Sequence, residues 1–222
     1  ENKNKLEVAQ VSMEEFLAKN PNDAYACSKL GALYMDLGKV SQGIQLLSKG
    51  VSVSGENYDV LYELYYHLGI AYSRLKNHQQ AVAHYQAAIK LPIYPILKLG
   101  AYNNLGNLLK EKGDFKGAKK AYETTLKIDP SFVSGYYNLG MTLKEMGLFK
   151  DAIAAYVKAI DLNPKYAQAY QDLGVVLLKV GYIDDSLIAF KEAIDLHKKQ
   201  NNPFAAEQLR KGLKDMGLEV KS

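Results

Sequence analysis

The sequence predicts an all-α solenoid of antiparallel helix pairs, on three observations. The dipeptide Leu-Gly recurs at Leu30-Gly31, Leu68-Gly69, Leu105-Gly106, Leu139-Gly140 and Leu173-Gly174, with spacings of 38, 37, 34 and 34 residues. Self-similarity at such a period marks stacked supersecondary units. Other apolar and small residues keep the same phase. All six prolines, Pro21, Pro92, Pro95, Pro130, Pro164 and Pro203, fall between predicted helices, where a missing N–H costs least.

With Leu as position 7 and Gly as position 8, position 4 is Cys27, Tyr65, Tyr102, Tyr136 and Tyr170. Position 11 is Tyr34, Tyr72, Leu109, Leu143 and Leu177, and position 20 is Gly43, Ala81, Ala118, Ala152 and Ser186. Position 24 is Leu47, Tyr85, Tyr122, Tyr156 and Phe190. Positions 4, 7, 8 and 11 share one helical face. Small residues at 8 and 20 let two helices approach, and large ones at 4, 7, 11 and 24 fill the space beside them. Gly38, Gly113, Gly147 and Gly181 suit the turn that ends each first helix, with Lys76 in that place in the second repeat.

This arrangement resembles the tetratricopeptide-repeat (TPR) family signature, most closely in Tyr136, Leu139, Gly140, Ala152, Tyr156, Ala159 and Pro164. The resemblance covers about residues 24–198. Cys27, Gly43, Gly50 and Thr125 depart from the pattern. What it implies is a right-handed superhelical TPR solenoid of antiparallel helix pairs, with the first helices lining a concave face. A single domain is expected over 1–222: a partial repeat at 5–21, repeats at 24–57, 62–95, 99–132, 133–166 and 167–200, and a capping helix at 203–216. The stretch with Leu6, Ala9, Met13 and Phe16 is expected to be the second helix of a preceding repeat whose first helix is absent or degenerate, and the one with Phe204, Leu209, Leu213 and Met216 a cap, polar outside and apolar inside. The longer junctions, Ser52 to Asn57 and Leu91 to Leu97, are read as extra helix or turn, or as contact loops that expose Ile93-Tyr94.

Composition narrows the function. Hydrophobic residues make 48% and charged residues 23% of the 222-residue chain, ordinary for a globular protein. The net charge is +4, with signs mixed along the chain, so the basic stripe of a nucleic-acid binder is missing and nucleic acid is not an expected partner. Cys27 is the single cysteine, which excludes an intrachain disulfide. No apolar run approaches the roughly 20 residues of a membrane span. The chain begins Glu1-Asn2-Lys3 without a methionine. Membrane association is therefore expected only through a missing upstream segment, and the chain as given reads as soluble, cytoplasmic or membrane-peripheral.

No catalytic constellation stands out, so no enzyme activity, cofactor or metal is expected. His67, His78, His84 and His197 lack the i, i+4 spacing of a helical zinc motif. Cys27 sits at a core position, and Asp184-Asp185 fall where a helix start favours acids. Nine of the 17 tyrosines occupy the core positions above, whereas Tyr25, Tyr66 and Tyr137 do not.

At about 100° per residue, positions 2, 5, 6, 9, 12 and 13 oppose the core face. From them the expected partner-binding groove is Tyr66, His67, Asn103, Asn104, Asn107, Lys110, Tyr137, Asn138, Met141, Lys144, Gln171 and Asp172. In the first repeat the same positions read Tyr25, Ser28, Lys29, Ala32, Met35 and Asp36. The two-carboxylate clamp of chaperone-tail TPR domains fits poorly: Asn107 and Asn138 match it, but Asn103, Gln168 and Asp172 replace its cations. Asn104 and Asn138, both at position 6, instead resemble the asparagine ladders of peptide-binding TPR superhelices. The expected partner is a protein or peptide segment, bound by a scaffold or adaptor. Two alternatives stand beside it: a docking or regulatory segment of a larger enzyme, and a membrane-associated assembly factor, since the Tyr-rich repeats resemble TPR factors of photosynthetic-membrane biogenesis.

Overall fold

The computed structural model describes residues 2–218, with side chains from residue 5 onward. Among these the chain forms twelve α-helices and no strand. They are α1 (Asn2–Lys19), α2 (Ala24–Asp36), α3 (Val40–Val53), α4 (Tyr58–Arg74), α5 (His78–Lys90), α6 (Leu99–Glu111), α7 (Phe115–Ile128), α8 (Val133–Glu145), α9 (Phe149–Leu162), α10 (Ala167–Lys179), α11 (Ile183–Lys199) and α12 (Pro203–Asp215). A short 3-10 turn at Pro95–Lys98 precedes α6. The architecture is an all-α TPR solenoid fold. It divides into two compact units, 1–108 and 109–222, with the division inside α6.

In unit 1, α2 pairs with α3 and α4 with α5; in unit 2, α8 pairs with α9 and α10 with α11. The close approach expected at position 8 is present. A Cβ on Gly69 would lie 2.5 Å from the Tyr85 ring, and one on Gly140 2.8 Å from the Tyr156 ring. The corresponding figure for Gly174 and the Phe190 ring is also 2.8 Å. Any side chain there would have to push the aromatic aside. Ala81, Ala118, Ala152 and Ser186 at position 20 are fully buried, as are Tyr122 and Tyr156 at position 24.

Turns between paired helices repeat one geometry. Lys39, Asn77, Asp114, Leu148 and Tyr182 each donate a backbone N–H to the carbonyl five residues back, at 2.8–2.9 Å. The residue before each takes a positive φ: Gly38, Gly113, Gly147 and Gly181 lie between 74° and 90°. Lys76, at 56°, holds the same place without glycine's freedom. Side chains of Asp23, Asn57, Asn77, Asp114 and Asn202 cap α2, α4, α5, α7 and α12 by accepting a first-turn backbone N–H.

The burial pattern adds two positions to the core. Position 3 (Ala26, Leu64, Ala101, Gly135 and Ala169) and position 10 (Leu33, Ala71, Leu108, Thr142 and Val176) are buried throughout. These small and medium residues sit where neighbouring helices pass closest, while the position 4 tyrosines are half-buried at the margin.

Both end helices are only partly covered. In α1 the buried face is Leu6, Met13 and Leu17, while Ala9 and Phe16 are exposed. In α12, Ala206 and Leu213 are buried but Phe204 and Met216 are 73% and 58% exposed. This helix packs mainly against α11.

Candidate functional site

The first-helix face of unit 1 is built from α2, α4 and α6. Its first part is not an open surface. Ser28 and Met35 are buried. Ser28 Oγ and Lys29 Nζ both donate to Glu63 Oε2 on α4, at 3.2 and 2.7 Å. Arg74 Nη1 donates to the Met35 carbonyl at 2.6 Å. Tyr25, by contrast, is 56% exposed. Positions 5 and 12 thus lean toward the next repeat rather than away from the core, which a single-helix projection does not capture.

Tyr66 stands at the centre of the next part. Its ring stacks on Tyr62 at 5.8 Å and meets Tyr85 at 6.2 Å and His67 at 5.7 Å. Asn104 Nδ2 donates to Tyr66 Oη at 3.2 Å. Burial raises the Tyr62 pKa to about 12, with Tyr66 adding to the effect. His67 has a buried Nδ1 with no hydrogen-bond partner, and burial lowers its pKa against the opposing pull of Glu63. Asn103 and Asn107 are half-buried on α6.

In unit 2 the face is carried by α8 and α10, with Lys110 at the end of α6. Tyr137 Oη donates to Asp172 Oδ2 at 2.8 Å, and Lys144 Nζ donates to Asp172 Oδ1 at 3.0 Å. The Tyr137 ring also packs on Tyr166 at 4.8 Å and Tyr156 at 5.9 Å. Lys110 Nζ lies 3.8 Å from Met141 Sδ. Burial lowers the Lys110 pKa, and nearby Glu111 opposes this. Asn138 and Met141 are half-buried. Gln171 departs from the set: with Val175 it borders a cavity of about 380 Å³ against α12, next to Phe204 and Leu213.

One relationship recurs that sequence reasoning missed. A tyrosine at position 5 bonds the polar side chain at position 6 of the following repeat, as Tyr66 with Asn104 and Tyr137 with Asp172. Both partners were legible as face residues, but nothing local to either helix announces the pairing. Lys144 is also less available to steer an acidic ligand than its position suggests, since Asp172 holds it.

Of the groups considered for chemistry, His67 lies on this face beside Tyr66, while Cys27, His84, Asp184 and Asp185 do not belong to it. Cys27 is fully buried, and burial raises its thiol pKa, the opposite of an activated nucleophile. His84 stacks on Tyr72 at 5.2 Å. Asp184 and Asp185 occupy the first turn of α11. Among the described residues no cluster of three or more His, Cys, Asp or Glu could hold a metal ion, and no helix is long and apolar enough to cross a membrane.

Comparison with known proteins defines the class. Tetratricopeptide-repeat family models match residues 62–92 and 133–166, and a TPR-repeat model matches 106–147. These matches identify tetratricopeptide repeats within the chain. A TPR repeat-containing protein of Synechococcus elongatus is 39% identical over 102 residues, which are 46% of this chain and 25% of that relative. The chain thus spans about a quarter of that relative's length. Among solved structures, MamA from Desulfovibrio magneticus RS-1 superposes with a TM-score of 0.70 at 21% identity, covering 80% of this chain and 97% of that one. YrrB, described as a TPR protein with an unusual peptide-binding site, gives 0.69 at 16% identity over 88% and 97%. BtubC from P. vanneervenii gives 0.77 at 17% identity over 90% and 91%. At these identities the structural likeness speaks for the fold.

Proposed function

We propose that the chain is a non-catalytic interaction scaffold whose first-helix faces hold a segment of a partner protein. The observation that carries this reading is the pre-set state of those faces. Tyr66 and Tyr137 each fix a polar side chain of the next repeat beside aromatic surface, and groups already ordered cost less to bind. Asn104 donates to the Tyr66 hydroxyl, and its amide also carries a carbonyl oxygen that can accept a backbone N–H from an extended segment of any sequence. Unit 1 would contribute Tyr66, His67, Asn103, Asn104 and Asn107. Unit 2 would contribute Lys110, Tyr137, Asn138, Met141, Lys144, Gln171 and Asp172. YrrB, with its peptide-binding site, has the same fold and supports the reading by analogy.

A second reading is a docking segment within a larger protein. The length of the Synechococcus relative, of which the match spans 25%, favours it. Both readings place the partner on the same faces.

Peptides selected from a random displayed library against the whole chain would test the proposal. Titration calorimetry with Asn104→Ala and Asn138→Ala then examines each unit in turn. Each lost hydrogen bond should weaken binding by about 0.5–1.5 kcal/mol, with melting followed in parallel because Asn104 also holds Tyr66. Undiminished affinity in both variants, each still folded, would place the partner elsewhere.

A further inference from the structure

The two junctions that lengthen the repeat to 38 and 37 residues meet around one cavity of about 680 Å³. Each has its own architecture. In the first, Gly55 turns the chain with a φ of 57°, and Asn57 caps α4. In the second, the Ile93 N–H donates to the Leu91 carbonyl at 2.9 Å, and the Leu97 N–H donates to the Tyr94 carbonyl at 3.1 Å. Pro92 and Pro95 stiffen that segment. Neither the repeat period nor the core accounts for the extra residues.

The lining has a definite chemistry. Tyr94 is 79% exposed and Leu97 46%, beside half-buried Ile93. Glu56 and Asp59 supply the cavity's charge, and both are exposed. Neither carboxylate is in an ion pair among the described residues. A local charge of this sign runs against the chain's net +4. Asp59 also complements the N-terminal end of α4, so Glu56 carries more of the uncompensated charge.

We propose that this cavity is a docking site, separate from the first-helix faces, for a partner-protein segment that carries an arginine or lysine flanked by apolar residues. The volume lies in the range of built ligand pockets, about 300–1,000 Å³. An anionic segment meets repulsion from Glu56 and Asp59. A wholly apolar one strips water from two carboxylates without replacing it. A cation satisfies them and gains the faces of Tyr94 and Tyr58, while its apolar neighbours cover Ile93 and Leu97.

The peptide acetyl-Ala-Leu-Arg-Phe-Ala-amide, with Gln and Glu replacing its Arg in two controls, tests this by amide NMR on the whole chain. The Arg peptide should shift the resonances of residues 56–59 and 93–97 and bind about fivefold more tightly than the Gln peptide, as expected for exposed charge pairs. The Glu56→Gln, Asp59→Asn double variant should erase that preference and leave the Gln peptide's affinity unchanged. Tyr94→Ala should weaken both peptides. All three side chains are exposed, so the fold should persist, and a melting curve verifies it. Equal binding of the Arg and Glu peptides would overturn the proposal. So would the absence of shifts at these residues up to about 1 mM peptide, or shifts confined to Asn104 and Tyr137.

Discussion

The hydroxyl of Tyr137 donates to the carboxylate of Asp172 at 2.8 Å, joining α8 to α10 across 35 residues of sequence. Lys144 holds the other oxygen of the same carboxylate at 3.0 Å, so one acid ties two side chains of the preceding repeat. The pair Lys144 and Asp172 is about four-fifths buried, which limits screening by solvent.

Tyr137→Phe removes the hydroxyl and keeps the ring against Tyr156 and Tyr166. Loss of a hydrogen bond to a partly exposed carboxylate should destabilise the chain by about 1–2 kcal/mol. A lower urea midpoint with an unchanged slope is the expected result. An unchanged midpoint would mean that Asp172 is satisfied by Lys144 alone.

Gly140→Ala places a Cβ 2.8 Å from the Tyr156 ring. That ring is fully buried and cannot swing into solvent, so overpacking should outweigh alanine's better helix propensity. A net loss of about 1–3 kcal/mol is expected. Gly212 has nothing within 4 Å of its Cβ position, and Gly212→Ala should instead stabilise by up to about 1 kcal/mol. Thermal melts of the two variants should move in opposite directions.

Acidification should weaken the fold through its histidines. Burial lowers the pKa of His67, His84 and His197, and His197 keeps a buried Nε2 without a partner. Their free-chain value is about 6.5. Below it the unfolded chain binds protons that the folded chain resists, so the stabilising contribution is complete above that pH and is lost as pH falls toward the depressed folded values. The slope is at most about 1.4 kcal/mol per pH unit for each histidine. Stability of His197→Leu measured between pH 7 and 5 should fall less steeply than that of the parent chain. Parallel curves would assign the slope to the other two histidines.

The helix pairs are legible in the sequence because their cause is local. Gly69, Gly140 and Gly174 recur in phase with the aromatics at Tyr85, Tyr156 and Phe190 that press on them. The turn at Lys76 is legible too, since four glycines occupy the equivalent place. The Tyr66–Asn104 and Tyr137–Asp172 bonds are not, because they depend on how one first helix lies against the next and span 38 and 35 residues. Burial of Ser28 and Met35 has the same origin. At the ends, periodicity marks Phe16, Phe204 and Met216 as apolar but not which side of α1 and α12 the adjoining helix covers, and all three are exposed.

The bond from Asn104 to Tyr66 has a kinetic consequence. A ligand acceptor that takes the Asn104 N–H must displace a hydroxyl that is already there, and one that donates to the Asn104 carbonyl need not. Entry by the first route trades one bond for another, with little net enthalpy and ready reversal. The second route adds a bond. If a partner segment binds here as proposed, the tyrosine would act as a resident competitor, biasing the site toward segments that arrive N–H first and letting the rest leave quickly.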